Sequence, residues 1–128
     1  MSLQEELLGF AGSVGDMFRR RVAETPDGLA FLDPDRAPEG PNTWTEYTWA
    51  ESRELVDRLA AGLLARGLAR EQRVGIISTT RLEWILLDLA VACAAGATTT
   101  VYPNTAAGDV EFILDDSGTC IVVVEDAT

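Results

Sequence analysis

The stretch that decides the fold runs from Arg73 to Val124. It reads RVGIIS at 73–78, RLEWILLDLAVACAAG at 81–96, ATTTVY at 97–102, VEFILDDSG at 110–118 and CIVVV at 120–124. RVGIIS and CIVVV are short apolar runs, and ATTTVY is β-branched and closed by Pro103, so all three are predicted strands. Between them, residues 81–95 predict a helix that is apolar nearly all round and ends at Gly96. A shorter helix is predicted over 106–116, with Val110, Ile113 and Leu114 inward and Ser117-Gly118 as its stop. Thr80 and Glu83 have the spacing of a capping box at the start of the first helix. Strands that are apolar on both faces and alternate with helices imply parallel pairing through right-handed crossovers, with helices on both sides of the sheet. The fold class is therefore α/β, a strand-helix-strand-helix-strand unit over about 73–126. The helix at 81–95 has so little polar surface that another element must cover it.

Upstream, Thr48 and Glu51 form a second capping-box pattern, ahead of an amphipathic helix at 49–66. Its apolar stripe is Leu55, Val56, Leu59, Ala60, Leu63 and Leu64. Glu54 with Arg58 and Arg53 with Asp57 are opposite-charge pairs on its wet side. Gly67-Leu68 reads as a left-handed stop. This helix is one candidate to cover 81–95. Before it, the turn Pro26-Asp27-Gly28, the run Leu29 to Leu32 and the alternation from Trp44 to Trp49 predict a two-stranded antiparallel ribbon. Its loose tip carries Pro34, Pro38, Gly40 and Pro41. Ser13 with Asp16 caps a first helix at 14–24, on which Arg19-Arg20-Arg21 reads as a solvated face. Residues 1–12 are expected to be a flexible arm, with Met1-Ser2-Leu3 a cloning scar. The whole of 1–128 reads as a single α/β subdomain.

Composition excludes a great deal. All 10 basic residues are arginine, against 21 carboxylates, for a net charge of −11. With no histidine there is no imidazole base and no histidine metal ligand, and with no lysine there is no Schiff-base amine. Such acidity argues against nucleic acid and anionic membranes as partners. No apolar run reaches the roughly 20 residues of a membrane span, and the acidic start is no secretory signal, so a cytoplasmic location is expected. Cys93 and Cys120 are expected to be buried free thiols.

In open parallel sheets, ligands gather beyond the carboxyl ends of the strands. Three loops lie there: Ser78-Thr79-Thr80, Tyr102-Pro103-Asn104-Thr105 and Glu125-Asp126. None is a glycine-rich phosphate cradle. Gly9, Gly12 and Gly15 precede every strand, and no G-x-S-x-G elbow occurs. Thr80 and Thr105 read first as helix caps. Asp115-Asp116 and Glu125-Asp126 read as solvated charges rather than a magnesium site. No catalytic and no metal-binding residue is expected.

The ordered set YTWAE at 47–51, RVGIIS at 73–78, RLEWILLDLAVACAAGATTTVYPNT at 81–105 and VEFILDDSGTCIVVVED at 110–126 resembles the N-terminal part of AMP-forming adenylating enzymes. Glu83-Trp84 and Tyr102 to Thr105 make it most like the long-chain fatty-acid–CoA ligases. The opening SVGDMFRRRVAETPDGLAF at 13–31 fits the same family. The resemblance implies a parent enzyme that uses ATP, magnesium and coenzyme A to turn a fatty acid into its acyl-CoA, with AMP and pyrophosphate as products. It also implies a larger AMP-binding domain of which 1–128 is a truncated N-terminal part. The family's phosphate loop, magnesium ligand and two lysines all come later in its chain, and this sequence has no lysine. The chain alone is therefore expected to be inactive and to hold no cofactor. The remainder of the parent is its expected partner. One positional hint carries over: in some relatives the loop after the ATTTVY strand borders the coenzyme A passage, which would place Tyr102, Asn104 and Thr105 beside that substrate.

Two other readings stay open at this stage. One is a stand-alone α/β ligand- or partner-binding module; the other is a different acid-activating ligase. CIVVV leaves a further expectation. A fully apolar strand wants neighbours, so either it is central in the sheet or the chain is cut from something longer, with self-association through this strand into a dimer or higher oligomer.

Overall fold

The computed structural model describes residues 12–34 and 43–126. The expected arm at 1–12, apart from Gly12, and the ribbon tip with Pro38, Gly40 and Pro41 lie outside the described residues. In order come α1 (Val14–Glu24), β1 (Leu29–Asp33), β2 (Thr45–Thr48), α2 (Trp49–Ala65), β3 (Arg73–Ile77), α3 (Leu82–Cys93), β4 (Ala97–Val101), α4 (Ala107–Ser117) and β5 (Thr119–Val124). β1 and β2 pair antiparallel, with an irregularity between Leu29 and Phe31. β3, β4 and β5 form one parallel sheet in the order β4-β3-β5. The expected α/β class and both sheet types are present.

Each local signal has a physical counterpart. The Ser13 side chain accepts from the Asp16 amide and starts α1. At α2 both arms of the capping box close: the Glu51 amide donates to Thr48 Oγ1 at 3.1 Å, and the Thr48 amide donates to Glu51 Oε2 at 2.8 Å. Gly67 (φ +91°) and Gly118 (φ +64°) adopt the left-handed conformation that ends α2 and α4. Arg53 bonds Asp57 at 3.1 Å on the exposed side of α2.

The core lies between the sheet and the helices. Val74 and Ile76 of β3, Val56 of α2 and Ala90 and Val91 of α3 are essentially inaccessible. α2 packs along α3, as its apolar face requires, and α1 closes the remaining side. Gly15 permits that closure, because a Cβ there would lie 3.0 Å from the Ala92 carbonyl oxygen and 3.0 Å from the Cys93 Cα. Trp49 joins the ribbon to the core, stacked obliquely against Phe18 and Phe31 with the Arg21 guanidinium 5.2 Å from its ring centroid.

Several expectations are corrected. β5 is not central: it is an edge strand of the described sheet, and it alternates instead of being buried on both faces. Ile121 and Val123 turn to the core, while Val122 and Val124 are 42% and 52% exposed. α4 contributes no fully buried residue, and Phe112 points outward. Cys120 is exposed and Cys93 half-buried, so the two free thiols are not both core residues. The α3 box does not form; Arg81 occupies the N-cap position, without a side-chain cap bond. Ala106, not Thr105, stands at the N-cap of α4. α3 ends with Ala95 (φ +59°) in the left-handed position and Gly96 one residue later, where a Cβ would crowd Val91, Leu68 and the Gln72 carbonyl. Among the described residues no helix is long and apolar enough to cross a membrane.

Candidate functional site

The three loops singled out in the sequence meet at one edge, because all three parallel strands end there. β3 is central, so Ser78-Thr79 leaves the middle of the sheet, with Tyr102 to one side after β4 and Glu125 to the other after β5. The Glu125 amide continues the β5 ladder by donating to the Ile77 carbonyl at 3.1 Å, which fixes where its side chain starts.

From there the Glu125 carboxylate reaches across the β3–α3 loop. Its Oε2 accepts from the Thr79 amide at 2.8 Å and the Thr79 hydroxyl at 2.8 Å, with the Ser78 hydroxyl at 3.2 Å. That last contact is the weaker one, since the single Ser78 proton also faces the Thr79 carbonyl at 2.9 Å. Its Oε1 accepts from Arg81 Nη1 at 3.1 Å. Arg81 turns the rest of its fork to Glu83, with Nε to Oε2 at 2.8 Å and Nη2 to Oε1 at 3.3 Å. One guanidinium thus stands between two carboxylates.

The electrostatics follow the geometry. The Thr79 amide, then the Thr79 hydroxyl, hold the Glu125 carboxyl down to about 2; Ser78 and Arg81 add to this against a partial loss of solvent. Glu83, and more weakly Glu125, raise the Arg81 pKa by bonding its charged form. Burial pushes the Cys93 thiol up.

A cleft of about 290 Å³ adjoins the cluster, with Ile76, Trp84, Leu87 and Val123 on its apolar side. An apolar cleft of about 390 Å³ follows between α2, α3 and β5, with Tyr47, Leu55 and Leu86 in its wall and Arg58 beside them.

Tyr102, Asn104 and Thr105 form a turn in which the Thr105 amide donates to the Tyr102 carbonyl at 3.0 Å. Tyr102 is 82% exposed. These three residues share the sheet edge with Glu125 but line neither of the two clefts just described. The arginine run on α1 is engaged locally: Arg20 pairs with Asp16 at 3.0 Å, Arg21 with Glu24 at 3.0 Å, and Arg19 donates to the Cys93 carbonyl at 3.2 Å. Reading Glu125 as a merely solvated charge was incomplete. The one sequence signal was its position directly after a predicted strand, at the same sheet edge as the loop that follows β3.

These residues do not make a magnesium–triphosphate site. Among the described residues no group of three His, Cys, Asp or Glu side chains could hold a metal ion. The loop with converging donors is already filled by a carboxylate of the same chain.

An open parallel sheet with helical crossovers defines an α/β unit of the kind in which ligands, where they bind, lie beyond the carboxyl ends of the strands. The chain belongs to the AMP-binding enzyme family, which matches residues 18–128. The long-chain-fatty-acid–CoA ligase FadD15 of Mycobacterium bovis is 34% identical over 118 residues, 92% of this chain and 19% of that protein. FadD13 of Mycobacterium tuberculosis, also a long-chain-fatty-acid–CoA ligase, is 29% identical over 111 residues, 87% of this chain and 21% of that protein. Among solved structures, an inhibitor-bound N-terminal domain of FACL13 from Mycobacterium tuberculosis superposes with a TM-score of 0.78 at 28% identity. That match covers 88% of this chain and 26% of the other. The chain therefore spans about a fifth of the length of these two ligases.

Proposed function

We propose that this chain is the N-terminal structural part of a long-chain fatty-acid–CoA ligase. The whole enzyme would convert ATP, a fatty acid and coenzyme A into acyl-CoA, AMP and pyrophosphate in the cytoplasm. The observation that carries this reading is the family match over residues 18–128, together with 34% identity to FadD15 across nearly the whole chain. In this reading the sheet and its helices are a scaffold. ATP, magnesium and coenzyme A are held by the remainder of the parent, and these 128 residues alone are inactive. Tyr102, Asn104 and Thr105 stand beside the coenzyme A passage; the exposure of Tyr102 at the carboxyl edge supports that placement. The β5 edge, which has no second neighbour in the described sheet, and the apolar cleft beside it support association of isolated chains into a dimer or larger assembly.

Pyrophosphate release tests the reading. With ATP, magnesium, palmitate and coenzyme A, the isolated chain should release none above background. The product of the same gene read in frame beyond Thr128 should release it in a palmitate-dependent way. A stop codon directly after Thr128, or turnover by the isolated chain, refutes the proposal.

A further inference from the structure

We propose that the β3–α3 loop is a carboxylate receptor, occupied in this chain by its own Glu125, and that this contact latches the last strand onto the centre of the sheet. The inference rests on local geometry and stands whatever the parent enzyme does.

Five features make the loop a receptor. The Thr79 amide, the Thr79 hydroxyl and the Ser78 hydroxyl all approach one oxygen, at 2.8, 2.8 and 3.2 Å. Arg81 addresses the other oxygen, at 3.1 Å. Separate donors for each of two oxygens suit a carboxylate. The loop also opens α3, a helix of 12 residues whose amino end carries partial positive charge. Glu83 neutralises only the Nε and Nη2 side of Arg81, so Nη1 remains aimed at the receptor when Glu125 is absent. Finally, the adjoining cleft of about 290 Å³ leaves room on its Trp84 and Leu87 side for a few carbons of a ligand tail.

The contact matters because it spans 46 residues of sequence. β5 is held laterally by β3 and has no second neighbour in the described sheet. Glu125 supplies a tie at the open end of that strand, attached to the loop from which α3 departs. A ligand bearing a carboxylate competes for the same donors, and strand and loop separate at that end when it wins.

Removing the internal occupant exposes the receptor to a carboxylate in solution. The Glu125→Ala chain should melt lower than the unmodified protein. Sodium acetate at about 50 mM, compared with chloride at equal ionic strength, should raise its melting temperature by roughly 2–4 °C and leave the unmodified protein unchanged. In the same variant, acetate should slow hydrogen exchange of the Thr79 amide roughly tenfold, a local readout that a general salt effect does not move. Glu125→Gln keeps the side chain in place without its charge, and should be weakened and indifferent to acetate. If Glu125→Ala does not fold in chloride, recovery of the native signal in acetate supports the receptor and failure to recover refutes it. Equal effects of acetate on all three chains, no protection of Thr79, or phosphate matching acetate would overturn the assignment.

Discussion

Replacing glycine by alanine inside a helix normally stabilises it, by roughly 0.5–1 kcal/mol, because alanine has less backbone freedom to lose. Two helical glycines of this protein should respond in opposite directions. At Gly62 in α2 a new Cβ would meet only the Arg66 guanidinium, at 3.8 Å, so the ordinary gain should appear. At Gly15 in α1 it would sit 3.0 Å from the Ala92 oxygen, 3.0 Å from the Cys93 Cα and 3.2 Å from the Cys93 nitrogen. These are main-chain atoms of α3, which cannot rotate aside as a side chain can, so one helix must back away from the other. Overpacking of this kind typically costs about 1–3 kcal/mol, and Gly15 lies in the first turn, where the propensity gain is small. The expected outcome for Gly15→Ala is a net loss of about 1–2 kcal/mol, a fall of about 0.5–1 M in the urea midpoint. Gly62→Ala should raise the midpoint by a few tenths of a molar. Urea titrations of the two variants and the unmodified chain, followed by tryptophan fluorescence and circular dichroism, measure both shifts. If Gly15→Ala proves as stabilising as Gly62→Ala, the close approach of α1 to α3 is wrong.

Thr48→Ala removes the reciprocal cap of α2 and should cost about 1 kcal/mol in the same titration; a change within error would mean that the box contributes nothing. Ala95→Gly relieves a left-handed alanine and should stabilise by up to about 1 kcal/mol, whereas destabilisation would show that the alanine side chain packs usefully. The Glu125 carboxyl is lowered in the folded state, so its contribution is complete above its ordinary value of 4.5 and drains away as the pH falls toward about 2. Between pH 5 and 2 the unmodified chain should therefore lose more stability than Glu125→Gln, and identical slopes would contradict the latch.

What could be read from the sequence was whatever depended on neighbours a few residues apart. The Thr48–Glu51 box, the Gly67 and Gly118 stops and the alternation of strands and helices are all of this kind, and all are present. Thr80 and Glu83 have the same spacing as a working box, yet the Glu83 carboxylate bonds the Arg81 guanidinium at 2.8 Å and Arg81 takes the cap position. Gly96 marks the expected end of the helix at 81–95, because glycine commonly stands just past a helix C-terminus. Here it is needed for space beside Val91, and the left-handed residue is Ala95. The edge position of β5 was hidden because an all-apolar run suits an interior strand equally well. The site suffered most, since the partners of Glu125 lie 44 to 47 residues away and no spacing rule connects them. Only the pairing of β5 with β3 brings them together.

The strand order has a consequence for synthesis on the ribosome. β3 emerges first of the three, yet one of its two edges waits for a strand made some forty residues later. During that interval its bare hydrogen-bonding groups are open to any extended segment nearby, an invitation to wrong pairing that grows with each second of delay. The helical layer and the aromatic cluster around Trp49 are translated before β5 and can shield one face, but not that edge. The later β5 is delivered, the longer that edge stays open, and prompt delivery shortens the vulnerable stage.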